Sequence, residues 1–573
     1  MTSGAGHPRR WQILAVLVVS LLVVVLDNTV LNIALPTIQE DLRATPSQLL
    51  WAVDSYILAF AALLFTWGVI GDRVGRKRVL MFGLMLFGLA SATCAFAVNP
   101  GQLIGFRTIM GIGGAAVLPT TLAIITVVFP PHERGKAIGA WAGAVGAAVA
   151  LGPVLGGILL ENPGWSRWLT GNDWGSVFLI NVPIVIIGLF AIWRIVPETK
   201  NPHPQKLDIG GLVLSALGLT LVVYGIIHAS STRDWLAPSV IGPIIAGLVV
   251  LAVFVAYEKR IPNPSFDVTL FANRGYGVSL TAVSLAFFAL SGITFSLPFY
   301  LQIVRGYSTL TAGLCFLPFA VGQLLAAPRS AAMVARFGYK PVMTVGLAIV
   351  SLALLSLSRI GLETPIWMVL TGFFFFGLGM GNVIAPASTV MQNVLPLARA
   401  GAGSAVQNTV RQVFGALGVA VIGTVLATQY ANGVAPALDK LPPQVPEDVK
   451  NLAGESIVAT DALLNAAQAQ GLPAEIVEPI RASAYDAFLT ASHHTSLISA
   501  CIVFIAAIVV FTMLPHIEPP REGQRPSAPA DNVAEELIET EVAGYAEQSA
   551  EEYVPERHSK GHDDDGVPDR QNR

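Results

Sequence analysis

Apolar residues in this chain come in runs and do not alternate with polar ones. Runs of about 20 residues, the length a helix needs to cross a bilayer, are separated by short breaks of charge, proline and glycine. The pattern predicts fourteen helical spans, near 11–34, 49–70, 79–98, 102–128, 138–160, 177–196, 209–229, 240–257, 277–303, 311–328, 341–358, 366–388, 402–428 and 491–514. A membrane β-barrel needs alternating polarity along each strand, whereas Trp11–Leu26 and Val79–Val98 are continuously apolar. The expected class is therefore an all-α polytopic membrane protein.

An even number of spans puts both termini on one side, and the basic residues indicate which. Arg9, Arg10, Arg73, Arg76, Lys77, Arg78, Arg134, Lys136, Arg194, Lys200, Lys206, Lys259, Arg260, Arg274, Arg329, Arg336, Lys340 and Arg399 fall on one face. The short loops of the other face hold Arg43, Arg167, Arg233, Arg305 and Arg359. This asymmetry predicts cytoplasmic termini in the cell inner (plasma) membrane. The first run follows a basic start but is too long for a signal-peptide core and lacks a small-residue cleavage site, so it reads as a permanent span. Residues 429–492 form an outer insertion, expected to be short helices capping that face. The acidic tail, 515–573, lacks apolar periodicity and is expected to be disordered.

Composition narrows the function. Of 573 residues, 12% are charged, roughly half the usual share for a soluble domain. The net charge of −3 argues against a nucleic-acid partner. Cys94, Cys315 and Cys501 are few, odd in number and within apolar runs, so they imply neither a disulfide framework nor a metal site. His493 and His494 have no matching ligand spacing nearby, and no phosphate-binding loop of the Walker type is present. No cofactor and no enzymatic activity are expected.

A concealed repeat organises the spans. Asp72-Arg73-Val74-Gly75-Arg76-Lys77 follows the second span, and Ala335-Arg336-Phe337-Gly338-Tyr339-Lys340 follows the tenth with the acid lost. This predicts a six-helix bundle over 1–200, two linking helices over 201–262 and a second six-helix bundle over 263–514.

Three constellations carry candidate chemistry. The loop Gly68-Val69-Ile70-Gly71-Asp72-Arg73-Val74-Gly75-Arg76-Lys77-Arg78 offers glycines for a tight turn, an acid able to cap a helix of the opposite half, and arginines able to pair with carboxylates such as Glu133. Gly68, Asp72, Arg73, Gly75 and Arg76 are the expected conformational switch. In the fifth span, Gly152-Pro153-Val154-Leu155-Gly156-Gly157 combines a proline kink with small residues, so Gly152, Pro153, Gly156 and Gly157 should pack tightly against a neighbour. Asp27, Asp54 and Arg107 lie inside the first, second and fourth spans, where ionisable groups are expensive and usually line a cavity. Asp27 lies about 24 Å along its helix from Trp11, and Asp54 and Arg107 lie about 8 Å inside their outer ends, so all three share the outer half. A static salt bridge holding three helices together is one reading. The excess acid favours another: two carboxylates against one guanidinium leave an acid to be protonated, hydrated or matched by a cationic ligand.

These strings resemble the fourteen-helix drug:proton antiporter-2 subfamily of the major facilitator superfamily. The resemblance rests on Leu26-Asp27-Asn28-Thr29, Trp51-Ala52-Val53-Asp54-Ser55-Tyr56, the Asp72 loop, the Gly-Pro-x-x-Gly-Gly string and Phe178-Leu179-Ile180-Asn181-Val182-Pro183, and covers roughly residues 11–514. It implies proton-coupled multidrug efflux by alternating access, driven by the proton gradient. Lipophilic or cationic drugs, protons and membrane lipids would be the partners, and a monomer would suffice. It further implies proton coupling and cation recognition at Asp27 and Asp54, and proton relay at Arg107. The chain departs from the family at Asp173-Trp174-Gly175-Ser176, where Trp-Arg-Trp is common, so its outer rim is expected to differ. The same fold could instead export or flip a lipid, glycolipid or secreted metabolite. In the second half, Gln407, Asn408, Arg411 and Gln412 resemble the family's Asn-x-x-Arg-Gln string, and Arg411 could pair structurally across the interface or touch substrate equally. The run Phe373–Phe376 could stack on aromatic compounds or pack against neighbours.

Overall fold

The computed structural model describes residues 7–200, 208–261, 268–393, 400–439, 441, 447–470 and 472–517, and every long regular element among them is helical. The first group comprises α1 (Arg10–Leu42), α2 (Pro46–Val74), α3 (Arg76–Cys94), α4 (Pro100–Ala115), α5 (Val117–Val128), α6 (Pro131–Glu161), α7 (Gly164–Thr170), α8 (Gly175–Leu179) and α9 (Asn181–Ile195). Then come α10 (Ile209–Thr232) and α11 (Pro238–Glu258). The last group is α12 (Arg274–Phe299), α13 (Thr309–Leu314), α14 (Leu317–Phe337), α15 (Tyr339–Leu357), α16 (Ile366–Asn393), α17 (Ala400–Leu438), α18 (Glu447–Ala453), α19 (Ile457–Ala469) and α20 (Ala474–Met513).

Among the described residues, thirteen helices are long and apolar enough to cross a membrane. The remaining predicted span, 138–160, falls within α6, whose described apolar part is Leu151–Glu161, so the count is compatible with fourteen. The architecture is the expected all-α polytopic one. The tail beyond residue 517 lies outside the described residues.

Local signals start the helices where the polar breaks occur. Thr45 and Gln48 form a reciprocal capping box at α2 with Pro46 in the first turn, and Asn99 caps α4 ahead of Pro100. Asp208, Asn273 and Ser456 accept the equivalent bonds at α10, α12 and α19.

Several boundaries differ from the apolar pattern. The first span was expected to end near 34, but α1 continues through Pro36 to Leu42, with Leu35, Pro36 and Ile38 buried. Packing compensates for the hydrogen bond that the proline removes. Likewise α6 runs unbroken through Pro153. The 429–492 insertion contains the short helices α18 and α19, but its ends are extensions of α17 to Leu438 and of α20 back to Ala474.

Within the first group α1 packs on α6 and α9, and α2 on α4. Within the last, α12 packs on α17 and α20, and α14 and α15 on α16. The groups meet where α2 touches α17 and α6 touches α13. Helix α10 packs on α11 and also reaches both α2 and α17, bridging that seam.

Candidate functional site

Charge is placed at the centre of the first group by α1, α2, α4 and α9. Asp27, Asp54 and Arg107 are all buried, at 1%, 0% and 0% exposure. Arg107 Nη1 donates to Asp27 Oδ2 at 2.6 Å, and its Nε donates to the carbonyl of Ala52 at 3.2 Å. The guanidinium carbon lies 4.4 Å from the centre of the Tyr56 ring, whose hydroxyl donates to the carbonyl of Val24 at 3.4 Å. On the other side of Asp27, Asn181 Nδ2 donates to Oδ1 at 3.0 Å and also reaches Ser91 Oγ at 3.0 Å. Ser91 in turn donates to the carbonyl of Phe178 at 2.9 Å. Asp27 is thus held from both sides, with a donor on each carboxylate oxygen, as a buried polar group requires.

Asp54 is placed differently. Neither of its carboxylate oxygens has a hydrogen-bond partner among the described residues. Helical geometry explains the separation. Ala52 and Tyr56 face Arg107, and at 100° per residue Asp54 lies about 200° from both. It shares its stripe with Leu50, one turn away, and Leu50 packs at the position of Gly423 on α17. The three expected residues therefore divide into a clamped pair, Asp27 with Arg107, and an unpartnered acid turned toward the seam.

The Gly68–Arg78 loop closes on its own group. Gly75, between α2 and α3, has φ +126°, a conformation that L side chains rarely adopt. Asp72 Oδ1 accepts from Arg76 Nε at 2.8 Å, and Arg76 Nη1 donates to the carbonyl of Ala123 at 3.1 Å. Glu198, which the sequence reading missed, accepts from the backbone N–H of Lys77 at 3.1 Å and lies 3.6 Å from Arg78 Nε. Glu133 pairs with Arg10 at 2.6 Å. A Cβ added at Gly68 would meet Pro119 at an ordinary 3.6 Å, and Arg73 engages a partner of its own.

The glycine string on α6 has two faces. A Cβ at Gly152 would fall 1.8 Å from Thr29 Oγ1, and one at Gly156 would fall 3.1 Å from the carbonyl oxygen of Val30, so both glycines let α1 approach. Gly157 faces the other group, where a Cβ would lie 2.6 Å from Leu310 Cα. Gly313 on α13 reciprocates, with the carbonyl oxygen of Pro153 at 2.3 Å from its own virtual Cβ. Thr309 Oγ1 donates to the carbonyl of Gly157 at 3.2 Å, and Gln302 Nε2 to that of Ile33 at 2.9 Å. These contacts close the groups together at the end that holds the insertion, here called outer.

In the last group, Gln407 Nε2 donates to Ser388 Oγ at 2.9 Å, and the Arg411 guanidinium lies 4.9 Å from the Phe287 ring centre. Phe373 and Phe376 are buried edge-on against Phe316 and Phe319, so these two members of the aromatic run pack α14 against α16. Trp174, in the atypical segment, is buried and donates to Asp41 Oδ2 at 3.0 Å, tying the outer rim to the end of α1. Among the described residues no group of three His, Cys, Asp or Glu side chains could hold a metal.

The family model described as Major Facilitator Superfamily matches residues 17–419. The chain belongs to the Major Facilitator Superfamily. Within it, the chain is 34% identical over 503 residues to the multidrug efflux pump LfrA of Mycolicibacterium smegmatis, covering 88% of this chain and 96% of that protein. It is 31% identical to the methyl viologen resistance protein SmvA of Salmonella typhimurium, over 74% of this chain and 84% of that one. Similarity to a crystallised bacterial homolog of the human lysosomal transporter Spinster gives a TM-score of 0.61 at 16% identity, over 90% of this chain and 100% of that one. The last comparison shows a shared fold. Multi-pass membrane placement follows from the helices and the family together.

Proposed function

We propose that this Major Facilitator Superfamily member exports lipophilic cations in exchange for protons, with Asp54 as the exchanging acid and the Asp27–Arg107 pair as the fixed charge beside it. The observation that carries the reading is the buried, unpartnered Asp54 carboxylate. A buried acid without a partner is stable only when protonated, wetted or paired with a cation, and alternation among those conditions couples a proton to a cation. Relatives named for multidrug efflux and methyl viologen resistance support the substrate class.

In this reading residues 1–200 and 263–514 form the rocking halves and residues 201–262 the added helix pair, with both termini cytoplasmic. A monomer performs the cycle in the cell inner membrane. Contacts through Gly157, Gly313, Thr309 and Gln302 close the outer side, and the Asp72–Arg76 loop changes partners as the halves rock. No bound cofactor takes part, and no covalent step is catalysed. The test is tetraphenylphosphonium movement in proteoliposomes under an imposed pH gradient. Proton-driven accumulation that a protonophore abolishes is expected, and accumulation insensitive to the gradient contradicts the reading.

A further inference from the structure

At its outer end the seam between α2 and α17 is pinned beneath α10. Trp51 on α2 lies 6.5 Å from Tyr224 on α10, ring centre to ring centre. Thr424 Oγ1 on α17 donates to the carbonyl of Ile226 on α10 at 3.2 Å. Toward the opposite end the three helices part and leave a cavity of about 270 Å³. Its walls include Ala61 and Thr66 on α2, Ser215 on α10, Phe254 on α11, and Thr409 and Val413 on α17. The lining is mostly aliphatic and aromatic with three hydroxyls, as in ligand pockets that select by polarity more than by shape.

Two further features mark this cavity. Its Gly211 edge is flanked by carboxylates: a Cβ at Gly211 would fall 2.2 Å from Asp208 Oδ2 and 2.3 Å from Glu258 Oε1. Asp208 Oδ1 caps α10 and accepts from Tyr257, whereas Oδ2 is buried without a hydrogen-bond partner. The nearby cation Arg411 is turned over Phe287, on α12. Moreover Ala61 is seven residues from Asp54 on one face of α2, so the cavity lies about 10 Å below that acid.

We propose that this cavity is a lateral access site for an amphipathic organic cation, which places its apolar body among α2, α10 and α17 and its charge near Asp208 before reaching Asp54. The two added helices thereby serve as the outer wall of a side chamber. The substrate class rests on the export reading given above, but the cavity can be tested apart from transport.

The test uses the full chain with Cys94, Cys315 and Cys501 replaced, carrying Ser215→Cys or, on the facing wall, Thr409→Cys. Reconstituted protein is reacted with N-ethylmaleimide with and without tetraphenylphosphonium, in the absence of any pH gradient. Leu217→Cys, on the exposed face of α10, is the control. Tetraphenylphosphonium should slow modification several-fold at 215 and 409 and leave 217 unchanged, while the anion tetraphenylborate should not protect. Asp208→Asn, which keeps the helix cap, should raise the protecting concentration about tenfold. Protection should persist in Asp54→Asn, where the export reading requires coupling to fail, so the two ideas fail separately. Unchanged modification at 215 and 409 at concentrations that saturate transport, or equal protection by tetraphenylborate, would overturn the proposal. Protection indifferent to Asp208→Asn would overturn it as well.

Discussion

Arg107 is bonded to Asp27 at 2.6 Å, and Asp54, at a similar depth on the neighbouring helix, is bonded to nothing among the described residues. Two acids that look equivalent along the chain therefore differ in what their removal should do.

Asp27→Asn leaves the Arg107 guanidinium buried without its counter-charge, a change that costs about 3–5 kcal/mol in comparable buried pairs. Asp54→Asn removes a carboxylate that has no partner, so stability should stay within about 1 kcal/mol of the wild type or rise. Thermal unfolding of the detergent-purified variants checks the ordering. The double variant Asp27→Asn/Arg107→Leu should recover much of the lost stability without recovering transport.

Asn181 holds the far side of the Asp27 carboxylate and links it to Ser91. Asn181→Ala should cost about 1–3 kcal/mol, because it leaves a buried acceptor short of a donor. A double-mutant cycle with Asp27→Asn separates that coupling from general packing loss. The two effects should fall short of additive by at least about 0.5 kcal/mol.

Gly157 and Gly313 let α6 and α13 touch across the outer seam. A valine at Gly157 meets the backbone of Leu310, which belongs to the other group, so closure of the outer side should fail while each group keeps its own packing. Gly157→Val should therefore abolish export and make Thr309→Cys more reactive toward a membrane-impermeant maleimide added from outside. Unchanged labelling at 309 would rule out this seam as the outer gate.

Glu455, in the outer insertion, is half-buried, and that burial pushes its carboxyl above the ordinary value, with the charge of Arg233 offsetting part of the effect. Because the folded value exceeds the unfolded one, docking of this segment is fully supported below the ordinary carboxylate range. That support is lost as pH rises through the raised value. Hydrogen exchange over 447–470, corrected for intrinsic rates, should show less protection at pH 7.5 than at pH 4.5, and Glu455→Gln should flatten the difference.

Much of the centre was legible in the sequence. Charges inside apolar runs are expensive enough to demand partners, and counting rises of about 1.5 Å placed Asp27 and Arg107 at one level. Depth does not fix rotation about the axis, and that is why Asp54 looked like a member of the same cluster. Its spacing from Ala52 and Tyr56 carries the missing information, once those two are known to face Arg107. Asn181 was visible as an amide at the start of an apolar span, but nothing in the chain alone pointed it at Asp27. The small residues of α6 announced close packing, and only the three-dimensional arrangement assigns Gly152 and Gly156 to α1 and Gly157 to α13. The apolar pattern ends α1 near 34, whereas burial of Leu35 and Ile38 carries the helix through Pro36 to Leu42.

The most direct test of the central claim follows proton release from acid-interior, inside-out vesicles on addition of ethidium, comparing wild type with Asp54→Asn. Ethidium should collapse the pH gradient in wild-type vesicles, and Asp54→Asn, folded and as stable as the wild type, should leave the gradient intact. Proton release in Asp54→Asn at the wild-type rate would contradict the assignment of this unpartnered acid as the exchanging group.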